Sequence, residues 1–75
     1  MAALEYGKYI LVSRPHLDQH LGLWIPHVSV YWEDGDRIQF HRFASLTQTF
    51  FTEEHALHFG FAFARAWVDE NSKNH

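Results

Sequence analysis

Apolar and polar residues alternate most regularly in the middle of the chain. Along Trp24–Trp32 (WIPHVSVYW), one side of an extended chain carries Trp, Pro, Val, Val and Trp, and the other carries Ile, His, Ser and Tyr. Arg37–Phe43 (RIQFHRF) alternates in the same way, and the acidic, glycine-containing segment Glu33–Gly35 between them is a turn signal. The pattern predicts a β-hairpin, with weaker pairing or a bulge at Pro26, which has no amide proton to donate.

The register of this hairpin is predicted from its apolar positions. A three-residue turn Glu33–Gly35, with its glycine left-handed in a G1 bulge, sets Val30 opposite Ile38 and keeps the apolar pairs on one face. A two-residue turn at Asp34 and Gly35 would mix apolar and polar residues on each face, so the three-residue turn is preferred. Arg42 then falls on the apolar face, where its long stem must reach back to solvent. The other face carries the pairs Tyr31–Arg37, Ser29–Gln39 and His27–His41.

The flanking segments have weaker patterns. Tyr6–Ser13 is rich in aromatic and β-branched residues and predicts a first strand, preceded by frayed residues 1–5. Arg14–Leu23 contains Pro, Asp and Gly without a period, which is typical of a loop. After a connection at residues 44–47, Gln48–Phe51 predicts a short fourth strand.

The last third of the chain has the period of an amphipathic helix. Thr52 is a good N-cap, Glu53–Asn71 is the predicted helix, and Phe51 before the cap suits a hydrophobic staple. Phe59 and Phe61 lie on the margins of its apolar face. That face consists of Ala56, Leu57, Gly60, Phe63, Ala64, Trp67 and Val68. The opposite face carries Glu54, His58, Arg65 and Asp69, which can pair four residues apart.

These elements predict an α+β fold in the order β-β-β-(β)-α. An antiparallel meander of three or four strands would carry one C-terminal helix on one face. The chain has 75 residues, which is room for one domain over residues 1–75, with an ordered core at about 6–70 and a flexible tail at 71–75.

The composition adds an expectation of self-association. A domain of this size usually needs a staple, and the chain has no cysteine, so disulfides and thiolate metal sites are excluded. Seven Phe, three Trp and three Tyr supply more apolar area than one helix can cover. The net charge of −3 disfavours strong non-specific nucleic-acid binding. The chain has no apolar run of ~18 residues and no signal-peptide pattern, so we expect a cytoplasmic protein without a membrane span.

The uncovered sheet face is the first candidate for function. If Ile10 and Val12 point inward, Tyr9 and Leu11 join this face, which mixes aromatic, aliphatic and donor side chains. Such a surface fits a homodimer interface or a partly solvated face, and alternatively a platform on which aromatic rings stack with bases. The candidate binding residues are Tyr9, Ile25, His27, Ser29, Tyr31, Arg37, Gln39, His41 and Phe43.

Histidines supply a weaker candidate for metal binding. His27 and His41 are predicted cross-strand neighbours and could share a metal ion or a proton, but no third ligand is supplied locally. The loop segment at residues 16–20 carries His16, Asp18 and His20, which could fold over this pair. His55 and His58 with Glu54 do not have the order or spacing of a zinc helix motif. No serine, carboxylate pair or glycine-rich loop has a catalytic context, so we expect neither an enzyme nor a cofactor.

Two segments resemble a group of small bacterial proteins with no assigned activity. The resemblance rests on the Trp-x-Pro strand at Trp24–Trp32 and on Phe50–Asp69, which reads FFTEEHA at its start and ARAWVD at its end. It implies no functional residue. The topology is also loosely similar to small β-β-β-α modules of antitoxins and single-stranded nucleic-acid-binding proteins.

Three hypotheses follow. The first is a non-catalytic interaction module, homodimeric through the sheet or through the helix margins at Phe59 and Phe61, that binds another macromolecule. The second is a single-stranded nucleic-acid or regulatory DNA-binding module that uses the sheet face. The third is a histidine-based metal or pH-responsive protein.

Overall fold

A computed structural model describes residues 2–43 and 46–72 of the chain. It has a four-stranded antiparallel sheet, a second two-stranded sheet and one C-terminal helix, which confirms the predicted α+β class. The elements are β1 (Ala2–Tyr6), β2 (Tyr9–Ser13), β3 (His16–Asp18), β4 (Leu23–Ile25), β5 (Val28–Asp34), β6 (Arg37–Phe43) and α1 (Glu53–Ser72).

The larger sheet has the strand order β1-β2-β5-β6, and all of its neighbours are antiparallel. The β3–β4 hairpin is inserted between the two central strands and forms the smaller sheet. α1 packs mainly across β2 and β5. One side of the larger sheet is therefore covered by α1, and no second helix lies on the other side in the part of the chain that the structure describes.

The N-terminal residues form an edge strand, so the prediction that residues 1–5 are frayed is wrong for 2–5. The predicted strand Tyr6–Ser13 is split by a two-residue turn at Gly7 and Lys8, and β1 pairs with β2 from Ala2↔Ser13 to Tyr6↔Tyr9. Gly7 has a φ of 61°. A glycine with positive φ at the first central position of a two-residue turn gives the twist that joins antiparallel strands.

The β5–β6 hairpin uses the same kind of turn, and the predicted three-residue turn is wrong. Its central residues are Gly35, with a φ of 68°, and Asp36, so Asp34 faces Arg37. Val30 consequently faces His41 rather than Ile38, a shift of three residues along β6. Because side chains alternate, a shift by an odd number turns every β6 side chain to the opposite face.

Between β2 and β5 the chain is more ordered than a loop. Residues predicted as a loop form the β3–β4 hairpin, in which Asp18 Oδ1 accepts hydrogen bonds from the amides of His20 and Leu21 at 2.9 and 3.2 Å. The predicted strand Trp24–Trp32 is interrupted at residues 26–27, as the lack of an amide proton at proline requires. The predicted fourth strand shrinks to a single bridge, in which Phe50 and Trp24 exchange backbone hydrogen bonds of 2.7 and 2.9 Å.

The helix begins as predicted, with the hydroxyl of Thr52 accepting a hydrogen bond from the His55 amide at 3.1 Å. Phe51 is 87% exposed, however, and the predicted hydrophobic staple is absent. The core face is also rotated from the prediction, since Phe61 is buried and Phe63 is partly exposed. The buried apolar residues are Leu11, Val28, Val30, Ala56, Phe61, Ala64 and Val68.

Small residues on α1 allow this packing. Gly60 lies so close to β2 that a Cβ added there would be 2.5 Å from the Ser13 hydroxyl oxygen. Ser13 is fully buried, and its hydroxyl donates a hydrogen bond of 3.0 Å to the Leu57 carbonyl of the helix. This polar side chain between helix and sheet is thus satisfied, as buried polar groups usually are.

Candidate functional site: the open face of the sheet

The side of the four-stranded sheet that faces away from α1 is not covered by the helix, and we call it the open face. Leu11, Val28 and Val30 are buried under α1, so the residues that alternate with them along β2 and β5 point the other way. Strand pairing extends this assignment to β1 and β6. The open face consists of Ala3, Glu5, Ile10, Val12, Ser29, Tyr31, Glu33, Ile38, Phe40 and Arg42.

The centre of the open face is apolar. Ile10 faces Tyr31 across one strand pair, and Tyr31 faces Phe40 across the next. The Tyr31 and Phe40 rings are stacked, with centroids 5.8 Å apart and planes at 29°. Ile38 is 65% exposed and Phe40 is 57% exposed, which is high for side chains of this size. These side chains form a contiguous apolar patch and not a set of isolated residues.

One end of the open face is basic. Arg14, His16, His27 and Arg42, together with Val12, Val28, Ser29 and Tyr31, line a depression of about 430 Å³, which we call the basic pocket. The His16 and His27 rings meet edge to face with centroids 4.5 Å apart, and the Arg14 amide donates a 2.7 Å hydrogen bond to the His27 carbonyl. The pocket lining contains no acidic residue.

His27 titrates differently from a free histidine because of its place in the pocket. Partial burial, and next the charge of His16, lower the pKa of His27. His27 is therefore more readily neutral than a free histidine, while the pocket keeps the positive charges of its two arginines. A group with a negative charge is the natural complement of this end of the face.

The other end of the open face has the opposite character. The β5–β6 turn carries Glu33, Asp34 and Asp36 with Arg37, so three carboxylates stand against one guanidinium. We call these four residues the acidic tip. Glu33 points to the open face, whereas Asp34 and Arg37 are cross-strand partners on the helix side of the sheet. Beside it, Lys8, Ile10, Tyr31, Trp32, Glu33 and Ile38 line a second, open depression.

The structure places three of the predicted site residues on or beside the open face. Ser29 and Tyr31 point outward, as predicted, and both line the basic pocket. His27 lines the same pocket although it precedes β5. Ile25 belongs to β4, where it faces His16 outside the four-stranded sheet.

The other predicted residues lie on the helix side of the sheet, and their assignment to the open face is wrong. Tyr9 alternates with Ile10, and its ring packs against Trp32 with centroids 5.8 Å apart. The shift in the β5–β6 register turns the four predicted site residues of β6 to the helix side. These residues are Arg37, Gln39, His41 and Phe43. The alternative that put Leu11 outward is also wrong, because Leu11 is fully buried.

The predicted pairing of His27 with His41 does not occur. His27 packs against His16, whereas His41 lies parallel to Trp67 of α1 with ring centroids 5.1 Å apart. Over residues 2–43 and 46–72, no group of three or more histidine and carboxylate side chains could hold a metal ion. His58 instead lies 3.8 Å from Glu54 on the exposed side of the helix.

Sequence reasoning missed most of the residues that give the open face its character, namely Ile10, Ile38, Phe40, Arg42 and Arg14. It considered His16 only as a metal ligand in a loop that could fold over His27 and His41. The sequence did contain two indications of the correct β6 register. An arginine on a core-facing position contradicted the predicted register, and the Gly-Asp dipeptide at residues 35–36 matches a two-residue turn that begins with glycine.

Comparisons with known proteins identified no relative of this chain. No family model matches the chain, and neither a curated protein nor a solved structure matches it. The resemblance to small bacterial proteins remains an expectation. Within residues 2–43 and 46–72, no helix combines the length and the apolar character that crossing a membrane requires.

Proposed function

We propose that this chain is a non-catalytic interaction module that forms a homodimer through its open face. The observation that carries the proposal is the contiguous apolar centre at Ile10, Tyr31, Ile38 and Phe40 on an uncovered sheet face. Burying such surface is the main driving force of association, at roughly 25 cal/mol per Å² of apolar area. A chain of 75 residues without cysteine gains stability from a partner that covers this patch.

A second copy is the occupant that fits the charges of the face. The basic pocket and the acidic tip lie at opposite ends, so the same surface offers both halves of a complementary pair. A twofold interface requires a patch that is complementary to itself, and most soluble homo-oligomers have this symmetry. In such a dimer, the outer side of α1 remains accessible for another macromolecule.

Sedimentation equilibrium of wild-type protein from about 1 to 200 µM tests the proposal. We expect a monomer–dimer equilibrium within that range, and a monomer throughout for Phe40→Asp, because a carboxylate would be buried without a partner. Phe51→Asp is the matched control, since Phe51 is equally aromatic, 87% exposed and outside the open face. A wild-type monomer at 200 µM would overturn the proposal, and so would dissociation by Phe51→Asp alone.

Single-stranded nucleic acid is the second candidate, favoured by one observation. The stacked pair Tyr31 and Phe40 lies on the same face as Arg42 and the basic pocket, so bases could stack where phosphates meet arginines. An NMR titration with a mixed-sequence single-stranded DNA at low salt tests it. Shifts centred on Tyr31, Phe40 and Arg42 that vanish as salt rises would support this candidate. The absence of shifts would exclude it.

A further inference from the structure

The open face is ordered in rows that cross the strands. Glu5, Ile10, Tyr31 and Phe40 are cross-strand partners and form a central row. Two residues further along the strands, Ser29 and Arg42 form a row toward the basic pocket. Two residues in the other direction, Glu33 and Ile38 form a row toward the acidic tip. At about 3.4 Å per residue, each outer row lies ~7 Å from the central one.

Two twofold axes in the plane between two open faces keep the strands of both copies aligned, as in aligned sheet packing. With an axis along the strands, the basic pockets of the two copies would lie close together, and their like charges would repel. An axis across the strands, along the central row, reverses the strand directions. It lays each basic end on the acidic end of the other copy, while Ile10, Tyr31 and Phe40 cover their own equivalents. Glu5 also meets its own equivalent, but it lies on the edge strand β1, where its exposed carboxylate keeps its contact with water.

We propose that two copies pack open face to open face with their strands reversed, so that Arg42 of each copy pairs with Glu33 of the other. Arg42 then lies over Ile38 of the second copy, next to Glu33, because Glu33 and Ile38 are cross-strand partners. This inference rests on the proposed homodimer, and it adds the orientation and the contact that fixes it.

The spacing of the charged groups matches this orientation. His27 precedes Ser29 by two residues on the basic side, and Gly35 follows Glu33 by two residues on the acidic side, both in line with β5. Both therefore lie about 14 Å from the central row, at ~3.4 Å per residue. The basic pocket of one copy, which His27 lines, thus receives the β5–β6 turn of the other. Lys8, which lies in the same depression as Glu33, partly offsets the acidic charge within each copy.

Charge reversal tests the pairing directly, because both positions are exposed and a symmetric dimer contains the pair twice. Arg42→Glu alone places two like charges at both contacts, and so does Glu33→Arg. We expect each variant to raise the dimer dissociation constant at least tenfold. In an equimolar mixture, the heterodimer has one native and one reversed pair, so we expect the dimer to re-form between unlike chains. Native mass spectrometry distinguishes the two chains by mass.

Three controls separate the outcomes. Glu70→Arg changes the net charge as much as Glu33→Arg but lies on α1, and it must leave the dimer intact. Circular dichroism confirms that every variant keeps its helix, and Arg42→Gln with Glu33→Gln replaces any variant that unfolds. For that pair we expect a smaller loss in each variant, less than additive when the two are combined. Losses that add in full would overturn the pairing.

If Phe40→Asp abolishes the dimer but the mixture does not re-form it, the orientation is wrong and the homodimer stands. If the wild-type chain is a monomer, the homodimer fails first and this pairing fails with it. If Arg42→Glu leaves the dimer unchanged but abolishes binding of single-stranded DNA, the basic pocket serves phosphate groups and the proposed pairing is wrong.

Discussion

The two faces of the same four-stranded sheet differ in what covers them. On the helix side, Leu11 and Val30 have no exposed surface, and Ser13 is buried with its hydroxyl satisfied by the helix. On the open side, Ile38 and Phe40 keep more than half of their surface exposed. The strands supply apolar residues to both faces, yet residues 2–43 and 46–72 contain one helix with which to cover them.

Residues on the helix side stabilise the folded monomer, whereas residues on the open face are accessible for binding. Side chains under α1 lose their contact with water when the monomer folds, and they contribute to the free energy of unfolding. Side chains on the open face lose it only when something binds there. Substitutions on the two faces should therefore affect different measurements, stability in one case and association in the other.

The largest expected effect compares two neighbours on β2. Leu11→Ala removes a fully buried side chain and should lower the free energy of unfolding by about 2–5 kcal/mol. Ile10→Ala, on the open face, should cost less than about 1 kcal/mol in dilute monomer, mainly through lower β-propensity. Urea unfolding at 1 µM measures both. Equal losses would show that the open face is part of the monomer's core.

The next effect concerns the contact between helix and sheet. In wild-type background, Gly60→Ala drives its new Cβ against the Ser13 hydroxyl and should cost about 1–2 kcal/mol through the displaced hydrogen bond. In a Ser13→Ala background, the nearest remaining atoms are at 3.5 Å, so the same substitution should stabilise by roughly 0.5–1 kcal/mol through helix propensity. A double-mutant cycle by chemical denaturation measures this change of sign. If Gly60→Ala changed the free energy of unfolding in the same direction in both backgrounds, the close approach of Gly60 to Ser13 would be contradicted.

A smaller effect is expected where β1 meets the end of α1. The Tyr6 hydroxyl donates a 2.7 Å hydrogen bond to Asp69, and this bond is the main reason that the pKa of Tyr6 is raised. The protonated hydroxyl is thus favoured in the folded state. Its contribution to stability is fully present below pH 10 and is lost as pH rises through the raised pKa. Tyr6→Phe should have a flatter stability profile above pH 10, and matching profiles would rule the bond out.

The smallest effect is expected in the basic pocket. Because the pKa of His27 is lowered, the unfolded chain binds a proton more readily than the folded one. Stability should be greatest above the unfolded pKa of about 6.5 and should fall as pH decreases through the lowered folded value. His27→Gln should remove this slope, and His16→Gln should reduce it, since both side chains contribute to the shift. Thermal unfolding from pH 7.5 to 5 in the monomeric Phe40→Asp background measures the slopes.

Local patterns predicted the elements that depend on nearby residues. Thr52 caps the helix because its hydroxyl lies next to amides in its own chain segment, and the predicted helix end differs from the observed one by a single residue. The hairpin at Glu33–Gly35 was located correctly, but its turn was not. The predicted site depended on that turn, so four β6 residues were assigned to the wrong face.

The sequence alone determined the class of the fold, the place of the helix and the presence of a middle hairpin, because periodicity and capping act over a few residues. Only the tertiary structure decided which alternate residues of each strand α1 covers. That choice depends on the strand register and on the close approach of Gly60 to Ser13. It is settled by contacts between residues distant in sequence, and it determines which apolar surface the monomer leaves open.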